Sequence, residues 1–152
     1  MRVEARSVVA KFKERNLKAH LLSGDTSLII KPLEVSLDMD YSQGDASPSE
    51  KLAYIKQLQS TGDKVLFIGD GINDAPVMRQ ADVSIAVSNA SDLTKNQADC
   101  ILLSRDLSMC SELLPFSERV RKKIKQNIGW AILYNILAVP LAASGYLPPY
   151  IA

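Results

Sequence analysis

The chain has 152 residues, with 18 lysines and arginines against 17 aspartates and glutamates, and 47% of it is hydrophobic. That length allows about one domain, and a net charge of +1 leaves no basic excess to neutralise a run of phosphates, which argues against a nucleic-acid partner. Cys100 and Cys110 are too few and too far apart for a disulfide scaffold or a CxxC metal site. The first twenty residues are charged and hold no long apolar run, so no signal peptide is expected.

Glu4 to Asn16 has helical spacing, with Val8, Val9 and Phe12 on one face and Arg6, Lys13 and Glu14 off it. Ala19 to Leu22 is a short apolar run halted by Ser23-Gly24-Asp25, as a strand ending in a polar loop would be. Glu34 to Met39 alternates weakly and is expected to be a second strand. Asp45 to Pro48 is turn material that caps a helix over Ser49 to Gln59. Lys64 to Ile68 is a compact strand running into Gly69-Asp70-Gly71. Pro76 falls in the first turn of the next helix, with Asp74 placed to cap it. Val83 to Val87 and Cys100 to Leu103 are two further short β runs.

This alternation predicts an α/β unit with a mainly parallel sheet. Ligands of such sheets bind beyond the carboxyl ends of the strands. Three polar clusters fall near that edge: Ser23 to Asp25, the Lys51 region, and Asp70 to Asp74.

The averages hide a division. Glu118 to Lys125 carries Arg119, Arg121, Lys122, Lys123 and Lys125, and from Asn127 to Ala152 there is no charged residue. A basic collar beside an apolar run, with Trp130 near its start, predicts a transmembrane helix whose collar and preceding residues are cytoplasmic. Ile128 to Ala143 makes only about 24 Å of helix, so it must borrow turns from the collar to cross a core of about 30 Å. Ser144-Gly145 and Pro148-Pro149 predict a turn, with Tyr150 to Ala152 opening a returning helix. A core helix of a soluble protein is the alternative.

Val65 to Pro76 is the sharpest signal. An apolar strand delivers Asp70 to its tip, two glycines permit close backbone approach, and Asn73 and Asp74 add oxygens within a turn. Hard oxygen donors at a sheet edge suit Mg²⁺. A generic Gly-Asp-Gly turn is the alternative.

The string Gly69-Asp70-Gly71-Ile72-Asn73-Asp74-Ala75-Pro76 resembles the hinge motif of P-type ATPases, within the haloacid dehalogenase-like superfamily. Leu21 to Asp25 resembles the family's (T/S)GD segment, which implies a phosphoryl-holding hydroxyl on Ser23. Ser47 to Lys51 resembles the segment whose lysine offsets phosphate and aspartate charge, which implies that role for Lys51. Asp70 and Asp74 correspond to the acidic pair of the Mg²⁺ site, and Asn73 to its polar neighbour.

The chemistry this resemblance implies is phosphoryl transfer from ATP to an aspartate, followed by hydrolysis. The nucleophile's DKTGT segment does not occur in these residues, nor does the nucleotide-binding domain that follows it in the family. A smaller departure is Ser88 to Asp92, where the family has a glycine-richer turn.

Tyr134-Asn135, with Asn127 upstream, resembles the penultimate membrane helix of heavy-metal P-type ATPases, in whose copper-transporting subgroup these two residues help form the intramembrane copper site. The CPC motif and the last membrane helix of that subgroup are absent from the sequence. An aromatic anchor for Tyr134 and an interhelical hydrogen bond for Asn135 are the alternatives.

The resemblance therefore implies a partial haloacid dehalogenase-like parallel sheet over residues 1–110, a basic juxtamembrane helix over 111–127, and a transmembrane helix, turn and start of a second over 128–152. It implies Mg²⁺ as cofactor, ATP through missing domains, copper as transported ion, and an inner-membrane location with the N-terminal part cytoplasmic. Membrane lipid and the remainder of a full-length ATPase would be its partners, and the piece would be inactive alone. A membrane-tethered phosphatase of the same superfamily and a non-catalytic regulatory fragment are the competing readings. Of the remaining residues, His20 is expected at the surface, Cys100 buried in a strand, and Cys110 an ordinary thiol. Met78 and Met109 lack a partner at metal-ligand spacing.

Overall fold

The computed structural model describes residues 4–69, 74–87, 97–104 and 106–144. The chain order is α1 (Glu4–Lys13), β1 (His20–Leu22), α2 (Ser27–Leu37), β2 (Tyr41–Gln43), α3 (Pro48–Ser60), β3 (Leu66–Gly69), α4 (Ala75–Gln80), β4 (Val83–Ala86), β5 (Cys100–Ile101) and α5 (Ser108–Ala143). The chain divides into two compact units, Met1–Ser111 and Glu112–Ala152.

In the first unit every strand pairing is parallel, as the alternation of helices and apolar runs predicts. Among the described residues the strands lie in two parallel sheets, β1 with β2, and β3-β4-β5. His20 stands opposite Tyr41 in the first, and Leu66 opposite Val83 in the second. Among the described residues, β1 and β3 each have a strand on one side only.

Helix α1 buries Val8 and Val9 and ends before Asn16, which turns left-handed at φ 59°. Its Phe12 packs with Leu66, Ile68 and Leu107 on the core of Ile85, Val87, Leu102 and Cys110. A smaller cluster joins Met78 and Ala86 to Phe67 and Ala98, so Met78 is a packing residue.

The strand expected over Glu34 to Met39 is instead the end of α2 and its cap. Ile30 and Leu37 are buried seven residues apart, a two-turn helical repeat, while Val35 is exposed. Asp38 adopts the left-handed conformation at φ 56°, and its N–H returns to the carbonyls of Glu34 and Val35. That closes the helix and releases the chain into the actual second strand, β2.

Helix α3 starts with a full capping box. The Ser47 hydroxyl accepts from Glu50 N–H at 3.2 Å, and the Ser47 N–H donates to Glu50 Oε2 at 2.8 Å. Pro48 occupies the first turn, where its missing N–H costs nothing.

In the second unit α5 continues to Ala143 without interruption, an apolar stretch long enough to cross a bilayer. The portion from Glu112 spans about 48 Å of helix. The turn and returning helix expected after Ser144 lie outside the described residues.

Candidate functional site

Lys51 sits in the first turn of α3, just past the carboxyl end of β2, and Asp74 follows the carboxyl end of β3. Lys51 Nζ donates to Asp74 Oδ1 at 2.9 Å, and both side chains are largely buried, 13% and 11% exposed. The capping box fixes the turn that carries Lys51, whose own N–H bonds to the Ser47 carbonyl at 3.0 Å. A charge pair withdrawn this far from water depends on its partner, because a lone buried ion is costly.

Asp74 occupies the N-cap position of α4, but its side chain makes no capping bond, contrary to expectation. Its carboxylate is committed to Lys51, 23 residues away in sequence, and not to the helix behind it. Gly69 makes the approach possible. A Cβ there would lie 3.3 Å from Asp74 Oδ2 and 2.7 Å from the Phe67 ring.

Ser23 follows β1, at the carboxyl end of the β1–β2 sheet, and is half-buried. Its Oγ donates to Asp25 Oδ2 at 3.0 Å and accepts from Asp25 N–H at 3.1 Å. Asp25 therefore holds the hydroxyl within its own turn. The Ser23 loop is clamped to the loop after β2: Ala46 N–H donates to the Ser23 carbonyl at 2.9 Å, and Asp45 N–H to the Asp25 carbonyl at 2.7 Å. Asp45 in turn accepts from the Ser27 hydroxyl at 2.6 Å and the Ser27 N–H at 2.9 Å. Those two donors hold its carboxyl below the ordinary carboxylate range. A Cβ on Gly44 would lie 2.7 Å from the Ser27 backbone, so the clamp closes only on glycine.

The structure thus joins Lys51 to Asp74 directly and sets Ser23 on a braced loop at the carboxyl end of the β1–β2 sheet. Asp70 and Asn73 lie outside the described residues, as does Ser88 to Asp92. Among the described residues no three His, Cys, Asp or Glu side chains converge as a cation site. Asp74 contributes one carboxylate, a hard donor of the kind Mg²⁺ takes, with an ammonium already against one oxygen. Tyr134 and Asn135 are consecutive, exposed residues of α5 in the second unit.

Sequence reasoning missed Asp45, Gly44 and the group around His20. His20 is half-buried, not a plain surface residue: its Nδ1 and the Tyr54 hydroxyl share a hydrogen bond at 2.9 Å, and Tyr41 stacks on Tyr54 at 4.9 Å. Burial lowers the His20 pKa from its ordinary value. Cys100, expected to be buried, is exposed, on a strand paired on one side only among the described residues. Cys110 is fully buried and enters the core from the first turn of α5. The Gly44-Asp45 pair was the one available signal for the clamp.

A model of the haloacid dehalogenase-like hydrolase family matches residues 1–82, over half the chain and all of Ser23, Lys51 and Asp74. The chain belongs to this family. Among sequence relatives, the probable copper-importing P-type ATPase A of Enterococcus hirae is 34% identical over 151 residues, which is 98% of this chain and 21% of that protein. The chain spans about a fifth of that relative's length. The catalytic domain of the CPx-ATPase CopB-B is 39% identical, with a TM-score of 0.70 over 74% of this chain and 44% of that domain. A zinc-transporting PIB-type ATPase in the E2.Pi state shares the fold, with a TM-score of 0.88 at 22% identity over 99% of this chain and 25% of that one.

Proposed function

We propose that this haloacid dehalogenase-like chain is a piece of a copper-translocating P-type ATPase: the carboxyl-terminal part of its phosphorylation domain (1–110), a basic juxtamembrane helix (111–127) and part of its membrane domain (128–152). The observation that carries the reading is the buried Lys51–Asp74 pair at the carboxyl edge of parallel strands. An ammonium there offsets charge on phosphoryl oxygens, and a neighbouring hydroxyl, Ser23, donates to one of them. The sequence relatives support the transporter assignment, and the family match supports the phosphoryl chemistry.

Asp70 and Asp74, with Asn73 beside them, would hold Mg²⁺, which supplies charge neutralisation during phosphoryl transfer. The aspartate nucleophile comes from polypeptide outside these residues. A strand entering between β1 and β3 would deliver it at the edge where Ser23, Lys51 and Asp74 stand. ATP is bound by domains this sequence does not contain, and Tyr134 and Asn135 contribute to the copper path. The N-terminal unit faces the cytoplasm, with α5 entering the inner membrane from residue 128, and the piece alone turns over no ATP.

The deciding experiment is phosphoenzyme formation from radiolabelled ATP in a full-length transporter carrying these 152 residues. Lys51→Ala and Asp74→Ala should each lower acid-stable phosphoenzyme by at least about tenfold, as loss of a charge-stabilising group does. Normal phosphorylation in both variants would refute the assignment. The gene upstream of Met1 should encode DKTGT and CPC segments.

A further inference from the structure

Among the described residues, the groups assigned to the phosphoryl site stand on two separate sheets. Ser23 follows β1, in the β1–β2 sheet, while Lys51 reaches from α3 to Asp74, after β3 in the other sheet. The distance between hydroxyl and ammonium therefore depends on how α3 is held against β1. The bonds from Lys51 to Asp74 and from Gln59 to Asp82, each 2.9 Å, tie α3 toward the β3-β4-β5 side. Neither fixes it relative to β1.

Tyr54 does. Its hydroxyl and His20 Nδ1 share a hydrogen bond at 2.9 Å, across 34 residues of sequence. His20 opens β1 in register with Tyr41, which opens β2, so both side chains leave the same face of that sheet. The Tyr54 ring lies against both, stacked on Tyr41 at 4.9 Å and tilted against His20 at 5.8 Å. Stacking alone lets a ring slide over its neighbour. The hydrogen bond pins it, because its strength falls steeply with distance and angle.

Both ends of this bond lead directly to the site. His20 precedes Ser23 by three residues, about 10 Å along an extended strand. Tyr54 follows Lys51 by three residues, about 4.5 Å along the helix and on the same face. Regular backbone carries position over such short spans with little slack. His20 and Tyr54 are only half-buried, so water can replace either partner and the bond adds little to overall stability. Its effect is on position, and small displacements of a group that stabilises reacting charge cost rate steeply.

We infer that the His20–Tyr54 hydrogen bond is the strut that sets Lys51 against Ser23, which makes His20 and Tyr54 positioning residues for phosphoryl transfer. The inference rests on the phosphoryl reading of Ser23 and Lys51.

The test uses the full-length transporter carrying these residues, with rapid quench from radiolabelled ATP. It separates the rate of phosphoenzyme formation per site from the number of sites that become phosphorylated. Tyr54→Phe removes one oxygen and keeps the stack. It should slow formation per site by about threefold to tenfold, the weight of one hydrogen bond, with the number of sites and the KM for ATP unchanged. His20→Leu should slow it as much, and the double variant no more than either alone, because each removes the same contact. His20→Asn, whose amide sets a donor or acceptor near the Nδ1 position, should recover most of the parental rate.

Full rate per site in both Tyr54→Phe and His20→Leu would overturn the strut. So would a loss of sites at unchanged rate, which is what a contact serving stability alone produces. Additive losses in the double variant, or a His20→Asn enzyme as slow as His20→Leu, would do the same. Lys51→Ala, measured alongside, reports on the underlying reading. Normal phosphorylation there takes away the phosphoryl assignment and the strut together, whereas a slow Lys51→Ala beside a full-rate Tyr54→Phe removes the strut alone.

Discussion

Lys51 and Asp74 lie 2.9 Å apart, nearly buried, although 23 residues separate them in sequence. One comes from the helix after β2 and the other from the turn after β3, so the contact forms only when α3 crosses over correctly. The site and the folded state therefore depend on the same pair.

Removing only the lysine should strand a buried carboxylate. Lys51→Met is expected to destabilise the first unit by about 3 kcal/mol, and Lys51→Met combined with Asp74→Leu should regain much of that. Hydrogen exchange of the α3 and β3 amides in the detergent-solubilised chain measures both. Protection in Lys51→Met equal to that of the parent would mean that the pair contributes nothing to stability.

The Ser47 cap acts on the same helix by a separate route. Ser47→Ala should cost about 1 kcal/mol, whereas Ser47→Asp, which also caps, should cost only a fraction of that. Local exchange rates in the first turn of α3 are the readout, and equal effects from both substitutions would contradict a capping role.

His20 predicts a pH dependence. Burial lowers its pKa in the folded chain below the unfolded value, so the unfolded state takes up the proton first. The His20 contribution is complete above the unfolded value of about 6.5 and is lost as pH falls from there toward the folded value. His20→Asn should remove the stability loss in that interval while leaving the steeper carboxylate-driven loss at lower pH. Denaturation midpoints between pH 7.5 and 5 would show it, and an unchanged slope in the variant would disprove it.

The thiols should differ in reactivity. Cys100 is exposed, while Cys110 is buried and its thiol pushed upward by desolvation. A thiolate is the reactive form, so a thiol-specific reagent should label Cys100 rapidly and Cys110 only on unfolding. Mass spectrometry after brief labelling identifies the modified residue; fast labelling of Cys110 would place it outside the core.

Acid–base geometry at the sheet edge reflects a similar contrast between short and long range. Asp25 holds Ser23 within a three-residue turn, yet the loop's position is set by Asp45 and Ser27 across the α2 crossover. Gly44→Ala would test the second without touching the first: the added methyl meets the Ser27 backbone at 2.7 Å, and a cost of about 1–3 kcal/mol is expected for such overpacking. Thermal unfolding reads the loss.

What the sequence determined by itself was local. Ser47 and Glu50 are three apart, so one helical turn brings them together. Short apolar runs between helical stretches specify parallel pairing, and the uncharged run after a basic collar specifies the apolar helix that continues to Ala143. Tertiary structure decided the rest, because register and crossover place side chains that sequence spacing leaves independent. It took Asp74 from its helix cap to Lys51, made Glu34 to Leu37 helix in place of strand, turned Cys100 outward on an edge strand and set His20 against two tyrosines. It also set the described strands in two sheets, since backbone hydrogen bonds join only strands that are adjacent in space.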